Sequence, residues 1–317
     1  MSDPFPVSPF ARSKGHCPFT GIATFAGTPL WKAGMRADAV VLGVPYDEGT
    51  SYRPGTRFGP RAVRDASMFY SYEDQCDRFF DADRRKWILA GKIIADASDV
   101  NIRPLSLEKN QQAIMAAVQT ILDKGSLPVV IGGDHSISHP IVKAFEGREL
   151  HYIHLDSHLD CDRIFDSALT HGSPVARILE DGLARSITLI GIRGLTNSGH
   201  DFAWIESKGA TILTAREVKA CPAGSRLGKL LAGDYYVSVD IDVFDPSAAP
   251  GTGTPEPGGL FFPEFSDLLH EIAGRGRIIG CDLTEVNPLL DNHAAGTAHL
   301  AARCIIELIS AALDKQE

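Results

Sequence analysis

Short apolar runs alternate with amphipathic stretches along most of this chain. Residues 37–44 form a continuous apolar run that stops at Pro-Tyr-Asp, the pattern of a buried strand entering a loop. Residues 127–131, 150–155, 186–192, 211–213, 235–241 and 277–281 read as further strands. Helical spacing covers 105–123, where Ile114, Val118, Ile121 and Leu122 share a face, and also 138–145, 202–207, 263–273 and 294–313. Pro60 opens one more helix to about residue 70 from the favoured first position. Such alternation predicts an α/β fold, a parallel sheet covered on both faces. Residues 1–36, rich in Pro, Phe, Ser and Gly, show no period and are expected to form an irregular arm; 37–317 is expected to be a single domain.

Ligands of such a sheet bind outside the carboxyl ends of its strands. The unusual residues of this chain cluster there. Four predicted strands run into Gly-Gly-Asp-His (132–135), Asp-Ser-His-Leu-Asp (156–160), Asp-Ile-Asp (240–242) and Asp-Leu-Thr-Glu (282–285). Asp156, His158 and Asp160 recur at every second position, so an extended segment puts them on one face, and Asp240 and Asp242 do the same. Converging carboxylates are costly to bury without a counter-charge, and a divalent cation supplies one. An EF-hand is excluded: counting from Asp240, the sixth position is Asp245 and not Gly, and the twelfth is Gly251 and not Glu. Together His135, Asp156, His158, Asp160, Asp240 and Asp242 offer two imidazoles and four carboxylates, a set suited to manganese that also accepts nickel, zinc or cobalt. Six ligands fit two ions, which at a separation of about 3.5–4 Å activate water and polarise a substrate.

Composition narrows the partners. The 317 residues are 44% hydrophobic and 22% charged, as in an ordinary globular protein. A net charge of −9 argues against nucleic acid and against an anionic membrane surface as partners. The apolar stretches at 113–117, 121–122 and 127–131 fall short of the roughly 18 residues a membrane span needs. The N-terminus lacks the basic region and apolar core of a signal peptide, and the six cysteines contain no C-x-x-C pair, so free thiols and a cytoplasmic location are expected.

The three metal motifs, joined by residues 43–46, Gly49-Thr50, 53–60, His171-Gly172, 251–256 and Glu285-Val286-Asn287-Pro288, resemble those of the ureohydrolases, the arginase and agmatinase family, over roughly residues 37–313. The loops at 51–60 and 250–259 resemble the agmatinase-like branch. The resemblance implies a three-layer α/β/α fold with a mainly parallel sheet of about eight strands and two Mn2+ per chain, nickel being the alternative. It implies one ion on His135, Asp156, Asp160 and Asp240, and the other on His158, Asp156, Asp240 and Asp242. It also implies catalytic roles for His171 as proton shuttle, for Glu285 as the carboxylate holding the guanidinium, and for Asp160. Metal-activated water would attack the guanidinium carbon, releasing urea and an amine.

For the substrate tail, Asp162 or Asp166 would suit a cation such as agmatine's, and Arg163 a carboxylate such as guanidinobutyrate's. Free or alkylated guanidine, other C–N bonds such as formimino or acyl-amine groups, and a non-catalytic partner subunit are the competing readings. A trimer or hexamer is implied by resemblance. Two departures from the family pattern stand out: Ser157 where Ala is usual, which would add a hydrogen bond beside two ligands, and Cys161, which would narrow the pocket or favour a softer metal.

Overall fold

The computed structural model of the chain describes residues 18–32, 34–71, 79–163, 169–221, 224–228 and 230–314. Among the described residues, ten strands run in chain order as β1 (Ala39–Gly43), β2 (Phe79–Asp81), β3 (Lys86–Ile88), β4 (Ile94–Asp99), β5 (Leu127–Ile131), β6 (Leu150–Leu155), β7 (Ser186–Ile192), β8 (Thr211–Thr214), β9 (Asp234–Asp240) and β10 (Arg277–Thr284). The helices are α1 (Gly59–Ser67), α2 (Leu107–Leu122), α3 (Ser138–Lys143), α4 (Pro174–Glu180), α5 (Gly199–Ser207), α6 (Ala215–Ala220), α7 (Phe262–Ala273) and α8 (Gly296–Leu313). Eight strands form one sheet in the order β4-β1-β5-β10-β9-β6-β7-β8, and every pairing within it is parallel. β2 and β3 make a separate antiparallel hairpin.

β1, β5 and β6 are buried along their whole length, which is why β1 and β5 are unbroken apolar runs and β6 is interrupted only by His151 and His154. Val41, Val129, Val237 and Leu283 pack with α1, α6, α7 and α8; Val40, Val130, Tyr152 and Leu189 pack with α2, α3, α4 and α5. The result is the three-layer α/β/α architecture expected from the sequence.

Among the features that escaped the hydrophobic pattern, two have a clear physical reason. β4 reads as a polar loop because it carries Asp96 and Ser98. Asp96 is nonetheless buried, because Arg64 from α1 donates to its two oxygens at 2.8 and 3.0 Å. β10 continues past Cys281 because Asp282, which looks like a strand stop, is buried and accepts from Tyr236 Oη and Ser238 Oγ on β9, both at 2.6 Å. α8 is an 18-residue helix long and apolar enough to cross a membrane by length and composition, beyond the short runs noted above. Here it is largely buried, packed with α1 and α7 in the core.

The described part of the arm, from residue 18, docks on the domain itself. Phe25 is buried and its N–H donates to Asp96 Oδ2 at 2.7 Å, while the Ala26 N–H donates to Ser67 Oγ at 2.7 Å. Leu30 bridges to Asp96 and so covers part of the exposed edge of β4.

Glu307 on α8 is a buried charge that ties three elements together. Its carboxylate accepts from Arg84 in the β2–β3 turn (2.6 Å), from Arg303 (2.7 Å) and from Ser266 on α7, and it lies 3.1 Å from His270 Nε2. Burial alone would raise its pKa, but these hydrogen bonds and charges hold it far below the ordinary carboxylate range. A depressed carboxylate contributes stability above its unfolded pKa and loses it as the pH falls through the folded one. Glu307→Gln is therefore expected to cost about 2 kcal/mol at pH 7. That deficit should shrink as both proteins are titrated below the usual carboxylate range, which urea unfolding at a series of pH values will measure.

Candidate metal centre

The strands that carry the chemistry-bearing residues are the four adjacent central ones, β5, β10, β9 and β6. Because all are parallel, their carboxyl ends open on one side of the sheet, and residues 135, 156–160, 240–242 and 285 meet there. After β5 the chain must pass under Tyr46: a Cβ on Gly133 would sit 1.7 Å from the Tyr46 carbonyl oxygen, so only glycine fits. Asp134 then accepts from the Ser136 and Gly49 N–H groups and anchors the turn from which His135 projects.

The structure brings all six candidate ligands together. His135 Nδ1 lies 3.1 Å from Asp156 Oδ2, 3.1 Å from Asp160 Oδ2 and 3.2 Å from Asp240 Oδ2. His158 Nδ1 lies 3.0 Å from Asp242 Oδ2 and 3.4 Å from Asp156 Oδ1. Asp156 is thus shared between two ligand groups, His135–His154–Asp156–Asp160 and Asp156–His158–Asp242. Asp160 sits at φ +47° and Glu285 at φ +64°, left-handed conformations that non-glycine residues seldom adopt and that cluster at functional sites.

The electrostatics call for a cation. Burial, then the charges of Asp242 and Asp156, push the Asp240 carboxyl well above its ordinary range. Burial and Asp156 push Asp242 up as well. Asp156 Oδ2 and Asp160 Oδ2 are buried with no well-formed hydrogen bond. Carboxylate oxygens do not remain buried in that state without compensation, and divalent ions between the two groups would compensate them. The residues fit a binuclear metal site on this ground.

Beside the cluster, His171 and Glu285 form a pair. His171 Nδ1 is 3.1 Å from Glu285 Oε1, and His171 Nε2 is 2.7 Å from Ser51 Oγ on the loop after β1. Glu285 is buried, and its Oε1 also accepts the His135 N–H at 2.9 Å. Burial disfavours a charged His171, but the hydrogen bond and charge of Glu285 outweigh it and raise its pKa to about 9.

A cavity of about 580 Å3 opens onto this assembly. His158, Asp160, Asp240 and His171 line its floor side, and Ser51, Tyr52, Arg53, Asp162, Asp201 and Glu256 line the rest. Asp162 is thus in the cavity; Asp166 lies outside the described residues. Arg163 is not in the lining. Its guanidinium stacks over Trp204 at 4.2 Å, with Asp201 3.8 Å away, which corrects the expectation that it meets a substrate carboxylate.

The two departures resolve differently. Ser157 Oγ donates to Asp242 Oδ1 at 2.8 Å and lies 3.0 Å from His158 Nδ1, so it braces two ligands. Cys161 is buried beside the cavity, its Sγ donates to the Leu159 carbonyl at 3.1 Å, burial pushes its thiol pKa up, and it belongs to neither ligand group. Asp245 accepts from the Ser247 and Gly258 N–H groups, closing its loop.

Four participants were not picked out from the sequence. Asn197 accepts from the Leu159 N–H and donates to the Ser157 carbonyl, pinning the second motif. Arg193 donates to the carbonyls of Asp242, Phe244 and Glu256, pinning the third. Ser51 carries no sequence signal beyond its Gly-rich loop. His154 did have one: it precedes Asp156 by two residues on the same strand face.

Residues 37–310 match the arginase family. The chain is 32% identical over 300 residues to the mitochondrial guanidino acid hydrolase of Homo sapiens, covering 92% of this chain and 83% of that protein. It is 33% identical over 295 residues to the agmatinase of Bacillus subtilis (strain 168), covering 92% of this chain and 96% of that one. Among solved structures, proclavaminate amidino hydrolase from Streptomyces clavuligerus superposes with a TM-score of 0.84 at 32% identity, over 93% of this chain and 98% of that one.

Proposed function

This chain belongs to the arginase family, a metal-dependent hydrolase of guanidino groups yielding urea and an amine, and we propose that its substrate is a guanidino compound with a cationic tail, as agmatine is. The observation that carries this reading is the cavity in which His158, Asp160 and Asp240 of the metal cluster, His171 and three further acids meet, with buried Glu285 held against His171 Nδ1 beside the lining.

In the assignment we propose, His135, Asp156, Asp160 and Asp240 hold one ion, and His158, Asp156, Asp240 and Asp242 the other. Manganese is the expected metal and nickel the alternative. Bound ions would supply a water nucleophile acidified to near neutral pH. The protein's part is orientation and proton movement. Glu285 accepts paired N–H bonds from the guanidinium, a geometry that suits a carboxylate. Protonated His171, held between Glu285 and Ser51, gives its proton to the departing amine. Asp162, Asp201 and Glu256 outnumber Arg53 along the rest of the lining and favour a positive tail.

A guanidino acid is the second reading, favoured by Arg53 and by the name of the human relative. A urea-release panel of agmatine, guanidinobutyrate, guanidinopropionate, arginine, guanidine and methylated guanidines, with manganese and nickel run separately, decides between them. Preference for guanidinobutyrate over agmatine would refute the cationic-tail assignment. Urea from none of them, with formamide or acetate from formimino or acyl-amine substrates, would refute guanidine hydrolysis. A trimeric or hexameric assembly and a cytoplasmic location belong to the same proposal, the former open to light scattering.

The raised pKa of His171 sets a pH dependence. A general acid must carry its proton, so kcat is expected to hold from neutral pH and fall as the pH rises through about 9. A kcat profile still rising at pH 10 would contradict the role given to His171.

A further inference from the structure

His154 has no part in the ligand assignment above, yet it lies against the metal cluster. It is the penultimate residue of β6, is fully buried, and stacks on His135 with ring centroids 4.8 Å apart and planes 23° from parallel. Its Nε2 is 3.1 Å from Asp156 Oδ2, and neither atom has a well-formed hydrogen bond. Its Nδ1 faces Tyr152 Oη at 3.4 Å. Leu150 and Tyr152 on its face of β6 and Leu189 beside it on β7 belong to the apolar core, while its neighbour on β9 is Ser238. An imidazole buried there is costly unless its polar atoms serve a partner.

We propose that His154 is a positioning residue whose Nε2–H holds the Asp156 carboxylate, the ligand shared by both metal groups, in its metal-binding orientation. With the Tyr152 hydroxyl, 3.4 Å from Nδ1, as the donor there, the ring proton sits on Nε2, 3.1 Å from Asp156 Oδ2. The stack on His135 keeps the ring from swinging away. A parallel arrangement serves His135 itself, whose Nε2 lies 2.8 Å from Ser238 Oγ, which donates to Asp282 at 2.6 Å. Hydrogen bonds behind ligating groups fix their orientation, and losing one typically weakens metal affinity about 10- to 100-fold.

The inference rests on the binuclear site, and the test separates the two. Chelator-stripped wild-type protein, His154→Phe and His154→Gln would be titrated with manganese(II) by calorimetry, with bound metal counted by mass spectrometry. Phenylalanine keeps the ring and its stack but has no N–H, whereas the glutamine amide places an N–H near the position of Nε2. Expected is an affinity loss of about 10- to 100-fold for His154→Phe and near wild-type affinity for His154→Gln. Equal affinity in His154→Phe and wild type would overturn the role of His154. So would a loss in His154→Gln as large as in His154→Phe, the result for a direct metal ligand. A wild-type protein that takes up no manganese would refute the site itself. Should His154→Phe fail to fold, Tyr152→Phe, which removes only the hydroxyl, is expected to weaken manganese binding several-fold, and unchanged binding would overturn the proposal.

Discussion

Asp240→Asn is expected to lower kcat/KM for urea release by at least about 1000-fold, roughly 4 kcal/mol of transition-state stabilisation. Asp240 ends β9, with Oδ2 3.2 Å from His135 Nδ1 and Oδ1 accepting the Asp242 N–H at 2.8 Å. In the assignment proposed above it is shared by both ions, so an amide there would remove negative charge from both at once. Asparagine keeps the shape and can still accept from the Asp242 N–H, so the fold should survive while metal is lost. Urea kinetics and metal analysis on the same preparation check this. Near wild-type turnover with two ions per chain would sink the bridging assignment.

His171→Asn should separate chemistry from metal binding. General acid catalysis is worth about 100- to 10,000-fold, and a loss of kcat in that range is expected with metal content unchanged. Asparagine can replace the contact between Nδ1 and Glu285, which spans 3.1 Å in the structure, but it cannot release a proton at working pH. The loss should therefore fall on kcat more than on KM. A change confined to KM would instead make His171 a binding residue. Asp240→Asn and His171→Asn thus differ in a single readout, bound metal, and their comparison tests whether the two halves of the cavity do separate jobs.

The sequence alone was enough for seven of the eight strands of the sheet, since burial on both faces leaves an unbroken apolar run that needs no partner to be recognised. The six candidate ligands were equally legible, because alternation at the end of a strand puts Asp156, His158 and Asp160 on one face whatever the strand packs against. Polar residues whose burial depends on a distant partner were not legible. Asp96 hides β4 until Arg64 is placed beside it, and Asp282 seems to end β10 until Tyr236 and Ser238 are seen on the neighbouring strand. Cys161 and Arg163 had open roles in the sequence; the first turns its thiol to a backbone carbonyl and the second lies on Trp204.

What the sequence determined, then, is which residues can bind metal and which strand ends carry them, because both follow from local spacing. What only the tertiary structure decided is that β5, β10, β9 and β6 are neighbours and that His171 reaches both Glu285 and Ser51. Strand order and side-chain partners are set by packing between segments more than a hundred residues apart along the chain, and no periodicity within one segment encodes them.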